Sequence, residues 1–220
     1  DAAGREATEW RVLRRGLVTV GVLPTIAPYL LPRVLPGFSR AFPGVGIVVQ
    51  EDVTTQLVGL LAACALDLAI ASLPIHDPRM QTETLFTEEL LVALPPRHRL
   101  VRKPAIHMAD LESERFILMK EGHCLGDQVL DFCTRRDFHP NVLCRSAQIE
   151  TLRALVQAGM GISLIPATAC QERSALQPRY RSLSPPTPRR TVALLWLKER
   201  PPGRAARAFI EHLRTTAAAA

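Results

Sequence analysis

The first third of the sequence alternates short, β-rich apolar runs with segments of helical period. The runs RGLVTVGVLP (15–24), GIVVQE (46–51) and LAIASL (68–73) have the composition of buried strands. Between them, the apolar residues of 26–38 and 54–67 recur at helical spacing, the former despite three prolines. This β-α-β-α-β order predicts an α/β fold, in which helices cover a mostly parallel sheet.

A looser version of the same alternation fills the rest of the chain. Strands are predicted in ELLVALPP (89–96), in FILM (116–119) after a short helix, and in 141–147, 161–167 and 189–198. Helices are predicted over 124–137, 149–160 and 203–218. In open α/β sheets, ligands bind where strands end and helices begin. A cleft between two such α/β units is therefore the expected binding site.

Helix-start signals mark three of these strand-to-helix junctions. Thr25 is the expected N-cap of the first helix, and Thr54 lies near the start of the second. The third junction is the turn at 122–125. From the residues alone, both threonines are predicted to act as helix caps.

The charge pattern argues against a nucleic-acid-binding module within this chain. The formal net charge of +6 suits an anionic partner without requiring one, and the arginines are scattered rather than grouped in one stripe. No helix-turn-helix or zinc-finger pattern is present. Most arginines, including Arg190, are predicted by themselves to be solvated surface charges. No run of 18 apolar residues predicts a membrane span, and no signal peptide is visible.

The five cysteines are odd in number and irregularly spaced, which argues against a secreted disulfide scaffold and favours a reducing cytoplasm. Cys64, Cys144 and Cys170 are predicted to be small buried hydrophobes. No CxxC or HxxxH pair supports a zinc site or a thioredoxin-type centre, and no signature of papain-like catalysis is present. The sequence therefore predicts no metal and no cofactor.

The segment EGHCLGDQVLDFC (121–133) places a cysteine at each end of a predicted helix. Gly122 suits a turn, and Asp127 suits the acidic first turn of a helix beginning near Leu125. Cys124 then lies at the helix N-terminus, where the dipole and the unbonded N–H groups favour the reactive thiolate. His123 and Lys120 are close in sequence and could assist.

Helix geometry separates Cys124 from Cys133. Nine residues of helix rise about 13–14 Å, whereas a disulfide needs Cα atoms within about 7 Å. The bond and the helix therefore exclude each other, and the pair has the properties of a conformational redox switch. Because cysteine is often a buried hydrophobe, an incidental role stays open.

The stretch GHCLGDQVLDFC resembles the peroxide-sensing motif of the OxyR family of LysR-type transcriptional regulators. The resemblance extends to 23–44, LVGLLAACALDLAI (57–70), IETLRALVQAGMGISLIPA (149–167) and PRRTVAL. It implies two Rossmann-like subdomains, similar to type II periplasmic binding proteins. Subdomain I would comprise 16–87 plus 194–220, subdomain II would comprise 91–190 with the redox cysteines, and 1–15 would end a linker helix.

The resemblance also implies roles for individual residues. Cys124 matches the peroxidatic cysteine, which hydrogen peroxide oxidises to sulfenic acid, and Cys133 matches the resolving cysteine, which condenses with it to a disulfide. The residues implied to line the peroxide pocket are Thr25, Thr54, His123, Asp127 and Arg190. Two features depart from the family: Gly126 stands where a larger residue, often arginine, is expected, and Cys144 is an additional thiol.

As a whole, the resemblance implies a redox-sensing regulatory domain and not an enzyme. The disulfide would rearrange a homodimer or homotetramer and so switch antioxidant gene transcription in the cytoplasm. DNA would be contacted only through an N-terminal winged helix-turn-helix that this chain does not contain. RNA polymerase would be contacted by the full-length protein. Glutaredoxin or thioredoxin would reduce the disulfide, and no membrane partner is expected.

Three other interpretations stay open. A LysR-type domain could bind a small organic effector in the cleft, with the cysteines incidental. A thiol peroxidase could use the same Cys124 chemistry, although no peroxiredoxin motif is present. A periplasmic solute-binding protein would need an export signal, which is not visible.

Overall fold

The computed structural model of the protein describes residues 15–120, 122–170 and 176–218. Apart from Arg15, the expected end of a linker helix (1–15) lies outside the described residues. The chain folds into two compact units, one formed by residues up to Phe86 together with those from Thr191, and one formed by Thr87–Arg190. No helix among the described residues has the length and apolarity needed to cross a membrane.

Strands and helices alternate along most of the described chain. In order they are β1 (Gly16–Val22), α1 (Ala27–Ala41), β2 (Val45–Glu51), α2 (Thr54–Ala62), β3 (Leu68–Ser72), β4 (Met80–Leu94), β5 (Arg115–Met119), α3 (Cys124–Thr134), β6 (Asn141–Ser146), α4 (Ile149–Gln157), β7 (Ser163–Pro166), β8 (Arg179–Arg181), β9 (Arg189–Leu197) and α5 (Arg204–Ala218). The predicted α/β fold class is confirmed.

The first unit is built on the predicted parallel sheet. β1 pairs in parallel with β2 and with β3, and β3 pairs antiparallel with β9. All five residues of β3 are buried, as expected for a strand covered on both faces. Helices α1 and α5 pack together through Phe38 and Phe209, whose rings meet edge to face with centroids 5.0 Å apart.

Helix α1 forms despite its prolines because they lie on its exposed face. The apolar residues at helical spacing, Leu30, Val34 and Phe38, are buried. Pro32 and Pro36 lie within the helix but are exposed, so the carbonyls that lose a helical partner can bond to water. Burial of the apolar stripe therefore outweighs the loss of two backbone hydrogen bonds.

The second unit combines an antiparallel and a parallel group of strands. β4 pairs antiparallel with β7 and β8, and β5 pairs in parallel with β6. Strand β4 begins nine residues before the predicted strand, at Met80 rather than Glu89. The early part of β4 is mostly exposed or half-buried, so it lacks the apolar run that marks the later part.

Two expectations about helix ends were wrong. Thr25 is buried and is not the N-cap of α1; that position is Ile26. The carbonyl of Leu23 accepts the N–H groups of both Ile26 and Ala27, at 2.8 and 2.9 Å, which tightens the turn and delays the helix start. At the second junction the N-cap is Val53, and Thr54 is the first residue of α2.

The prediction that Cys64 is buried was also wrong. Helix α2 ends at Ala62, and Cys64 adopts the left-handed conformation with φ 57° in the turn that follows. The N–H of Ala65 donates to the Leu60 carbonyl at 2.9 Å and closes this turn. The turn leaves the Cys64 side chain exposed to solvent.

Gly126 allows the first turn of α3 to lie against the end of β5. It is buried, and a Cβ atom at this position would stand 2.8 Å from the Met119 carbonyl oxygen. A Cβ atom placed on Gly59, in helix α2, would have no neighbouring atom within 4 Å. The two helical glycines therefore make a matched pair that differs in the space around the α-carbon.

Replacing these glycines with alanine is expected to change stability in opposite directions. Gly59→Ala should raise the free energy of unfolding by about 0.5–1 kcal/mol, since alanine loses less backbone entropy in a helix. Gly126→Ala should lower it by about 1–3 kcal/mol, because α3 must move away from β5. Chemical denaturation of both variants measures the difference, and equal stabilisation by both would contradict the close approach.

Candidate functional site

Cys124 lies at the first position of helix α3, as the sequence predicts. Strand β5 ends at Met119, and the chain turns at Gly122, which has φ +85°, a conformation that glycine adopts at little cost. His123 is the N-cap residue, and its carbonyl accepts the N–H of Gly126 at 2.9 Å. Cys124 is half-buried and is not part of a disulfide.

Cys133 lies in the last turn of the same helix and is almost fully buried. Burial raises the pKa of its thiol to about 11, against a partial opposing effect of the Arg136 charge. The Cys133 carbonyl accepts the N–H groups of Arg136 and Phe138, at 2.9 and 3.1 Å. Since α3 is continuous from Cys124 to Thr134, its nine-residue rise of about 13–14 Å keeps the two sulfurs apart.

The Arg190 side chain is completely buried, so the prediction that it is a solvated surface charge was wrong. Its Nε and Nη2 both donate to Oε1 of Glu88 at 2.8 Å. The other carboxylate oxygen of Glu88 accepts the backbone N–H of Thr168, also at 2.8 Å. Such a charge is stable in the interior only when it is paired and hydrogen-bonded, and Glu88 provides that partner.

Glu88 is the residue of this cluster that sequence reasoning missed. It is separated from Arg190 by 102 positions, so no local pattern links the two. The available signal was weak: Glu88 and Glu89 precede an apolar run, and alternation along a strand directs one of two neighbours inward. Only the fold identifies which of them is buried.

Thr25 and Thr54 belong to the first unit, whereas His123, Cys124, Asp127, Cys133 and Arg190 belong to the second. Thr54 lines a cavity of about 580 Å³ in the first unit, together with Thr55, Val58, His76 and Arg79. Its hydroxyl is buried and has no hydrogen-bond partner among the described residues. A small polar ligand could satisfy this group.

The remaining candidate residues differ in exposure. His123 is half-buried and makes no side-chain cap bond, and Asp127 is exposed in the first turn, where its charge suits the helix dipole. Cys144 and Cys170 are half-buried rather than buried. Within the described ranges, no cluster of three or more histidine, cysteine or acidic side chains could hold a metal ion.

Comparison with protein families decides the class of this chain. The family model described as the LysR substrate binding domain matches residues 12–218. The chain belongs to the LysR substrate-binding domain family. It is therefore a LysR-type regulatory domain and not an enzyme.

Known members show which LysR-type domains it resembles. The chain is 35% identical over 182 residues to the DNA-binding transcriptional dual regulator OxyR of Escherichia coli K12, covering 82% of this chain and 60% of that protein. It is 35% identical over 189 residues to a probable hydrogen peroxide-inducible genes activator of Mycobacterium avium. That match covers 84% of this chain and 60% of the Mycobacterium avium protein. It thus spans less than two thirds of these relatives.

The fold of this LysR-type domain also matches solved OxyR structures. The reduced form of the OxyR regulatory domain from Pseudomonas aeruginosa superposes with a TM-score of 0.81 at 30% sequence identity. The match covers 93% of this chain and 100% of the Pseudomonas aeruginosa domain. The chain is therefore an OxyR-like LysR regulatory domain.

Proposed function

We propose that this OxyR-like domain senses hydrogen peroxide through Cys124 and Cys133. The observation that carries the proposal is the placement of one cysteine at the first position of α3 and of the other, buried, in its last turn. The helix N-terminus stabilises a thiolate at Cys124, which makes this thiol the nucleophile. The buried Cys133 thiol, whose pKa is raised to about 11, stays protonated at neutral pH.

The chemistry proceeds in two steps. The Cys124 thiolate attacks one peroxide oxygen, the O–O bond breaks, and the departing hydroxide takes up a proton to become water, leaving a sulfenic acid on Cys124. Cys133 then attacks the sulfenic sulfur, and a second water leaves as the disulfide forms. Two thiols are oxidised and one peroxide is reduced to two waters, so electrons balance.

Thr25, Thr54, His123, Asp127 and Arg190 are the proposed peroxide-binding residues. The unsatisfied hydroxyl of Thr54 supports its assignment, because peroxide is small and both donates and accepts hydrogen bonds. Arg190 is a permanent positive charge that Glu88 holds in place, which suits stabilisation of developing negative charge on the leaving oxygen.

The biological output is part of the same proposal. Disulfide formation would open α3 and change the surface of the domain, and so rearrange a homodimer or homotetramer. The two compact units are proposed to be the two regulatory subdomains, and the DNA contact is assigned to a winged helix-turn-helix in the full-length protein. RNA polymerase is the proposed transcriptional partner, and glutaredoxin or thioredoxin the reductant, in the cytoplasm.

Peptide mapping after oxidation tests the switch directly. The reduced protein, treated with one equivalent of hydrogen peroxide, is digested without reduction and analysed by mass spectrometry. We expect a Cys124–Cys133 disulfide, and we expect Cys133→Ser to yield instead a sulfenic acid on Cys124 that dimedone traps. The proposal fails if Cys124 stays a thiol, or if Cys133→Ser leaves the oxidised product unchanged.

A matched control uses Cys144, the additional thiol of strand β6. Cys144→Ser should leave the Cys124–Cys133 product unchanged, since Cys144 has no part in the proposed chemistry. A Cys124–Cys144 disulfide in the unsubstituted protein would instead identify Cys144 as the resolving residue.

A further inference from the structure

A second cavity lies at the opposite end of helix α3 from Cys124. It is open to solvent, has a volume of about 570 Å³ within the second unit, and is lined by His107, Met108, Arg135, Arg136, Ser184 and the pair Pro185–Pro186. Its volume falls within the range of small-molecule sites. Nothing in the proposed peroxide chemistry uses these residues.

The lining of this cavity is strongly basic. Arg135 and Arg136 are permanent positive charges, and no carboxylate among the described residues lines the cavity. The Arg135 side chain is 77% exposed and meets Asp131 only at 3.9 Å, which neutralises it weakly. Met108 and the two prolines supply apolar surface beside these charges.

The guanidinium of Arg136 is held in a fixed position. Its Nη1 donates to the Phe132 carbonyl at 3.1 Å and its Nη2 to the Pro186 carbonyl at 3.5 Å. Its central carbon lies 3.7 Å from the centre of the Phe132 ring. No carboxylate pairs with it among the described residues, and its buried Nε has no hydrogen-bond partner there.

Arginine carries five N–H donors. With Nε buried and one N–H of each terminal nitrogen bonded to a carbonyl, one N–H on Nη1 and one on Nη2 of Arg136 remain for a ligand. Two guanidinium groups that line one cavity can each donate to the oxygens of a carboxylate or phosphate, with geometry that lysine does not provide. The apolar part of the lining suits a ligand with a small hydrocarbon body.

We propose that this cavity binds a small organic oxyanion, a phosphate or carboxylate that carries an apolar group. Arg135 and Arg136 bind the oxyanion, and Met108, Pro185 and Pro186 contact the apolar group. The ligand joins the end of α3 to the segment that precedes β9.

Binding has a consequence that rests on the proposed function. Opening α3 would displace the Phe132 carbonyl, which positions Arg136, and would dismantle the cavity. A bound oxyanion therefore favours the helical, dithiol state over the disulfide. This gives the domain a second input, in which an organic anion slows the response to peroxide.

Titration of the reduced chain with phenyl phosphate tests the site itself. By ¹H–¹⁵N chemical-shift titration in 0.1 M salt, we expect saturable binding with a Kd of about 1 mM or tighter, with the shifts concentrated at 107–108, 135–136 and 184. Phenol, which lacks the oxyanion, should not bind. Arg135→Gln should weaken binding, and Arg136→Lys, which keeps the charge and loses the fork, should weaken it about tenfold.

Arg115→Gln is the matched control, since it removes an exposed arginine of the same unit outside the cavity. It should leave the affinity unchanged. Equal weakening by Arg115→Gln and Arg135→Gln, equal binding of phenol, or no saturation would overturn the site. With the site confirmed, saturating phenyl phosphate should slow peroxide-driven disulfide formation several-fold.

The two hypotheses fail separately. Binding together with an unchanged rate of disulfide formation refutes the coupling and leaves the site standing. Binding together with no Cys124–Cys133 disulfide under any condition refutes the peroxide switch alone.

Discussion

Replacing Glu88 with alanine is expected to lower the free energy of unfolding by about 3–5 kcal/mol, because it removes a buried counter-charge and hydrogen-bond acceptor from Arg190. The Arg190 side chain is 0% exposed, and both of its donors to Glu88 would lose their acceptor. The backbone N–H of Thr168 would lose its acceptor as well. Urea denaturation, followed by far-UV circular dichroism, measures the loss.

An exposed ion pair provides the control for this substitution. Glu211 pairs with Arg214 at 2.9 Å on the surface of α5. Glu211→Ala should cost less than about 1 kcal/mol, because solvent screens the pair. If Glu88→Ala and Glu211→Ala lower the free energy of unfolding by the same amount, the buried pair stabilises the fold no more than the exposed one does.

The double substitution Glu88→Leu with Arg190→Met separates stability from chemistry. Removing both charges together should restore much of the stability lost in Glu88→Ala, since apolar residues of similar volume often replace a buried pair without cost. The peroxide response should nevertheless be reduced, since Arg190 is a proposed peroxide-binding residue. Full sensitivity in a stable double variant would exclude that role.

Oxidation is expected to open helix α3. A disulfide requires the Cα atoms of Cys124 and Cys133 to lie within about 7 Å, whereas the intact helix separates them by about 13–14 Å. Amide hydrogen exchange in 128–134 should therefore accelerate on the order of 100-fold or more after peroxide treatment, as hydrogen bonds of the helix are lost. Exchange measured by mass spectrometry on both redox states gives the comparison.

Helix α4 is the internal reference for this experiment. It lies in the same unit and contains no cysteine, so its exchange should change little on oxidation. In Cys133→Ser, peroxide should leave α3 protected, because no disulfide can close. Rapid disulfide formation with α3 still protected would mean that the bond joins different chains.

The local structure of the chain was largely predictable from its sequence. The period of apolar residues located helix α1 in spite of its prolines, and the glycine and acidic residue around Cys124 located the start of α3. These features depend on residues within a few positions of one another. Strand β4 was found only in its apolar half, because its first half shows no buried alternation.

The exact ends of the helices were not predictable in the same way. Thr25 was expected to cap α1, and the tight turn at Leu23 displaced the helix start. Cys64 was expected to be buried, and the end of α2 exposed it. In each case the residue type allowed both outcomes, and the position of the helix end within the packed unit decided between them.

The sequence by itself determined the α/β order of elements, the helix that carries Cys124 and Cys133, and the geometric conflict between that helix and a disulfide. These follow from helical period and rise, which are local properties of the backbone. Only the tertiary structure decided that Cys133 is buried, that Arg190 is paired with Glu88, and that two arginines line a cavity at the end of α3. Burial and charge pairing depend on segments that are far apart in the chain, so they exist only once the units have folded.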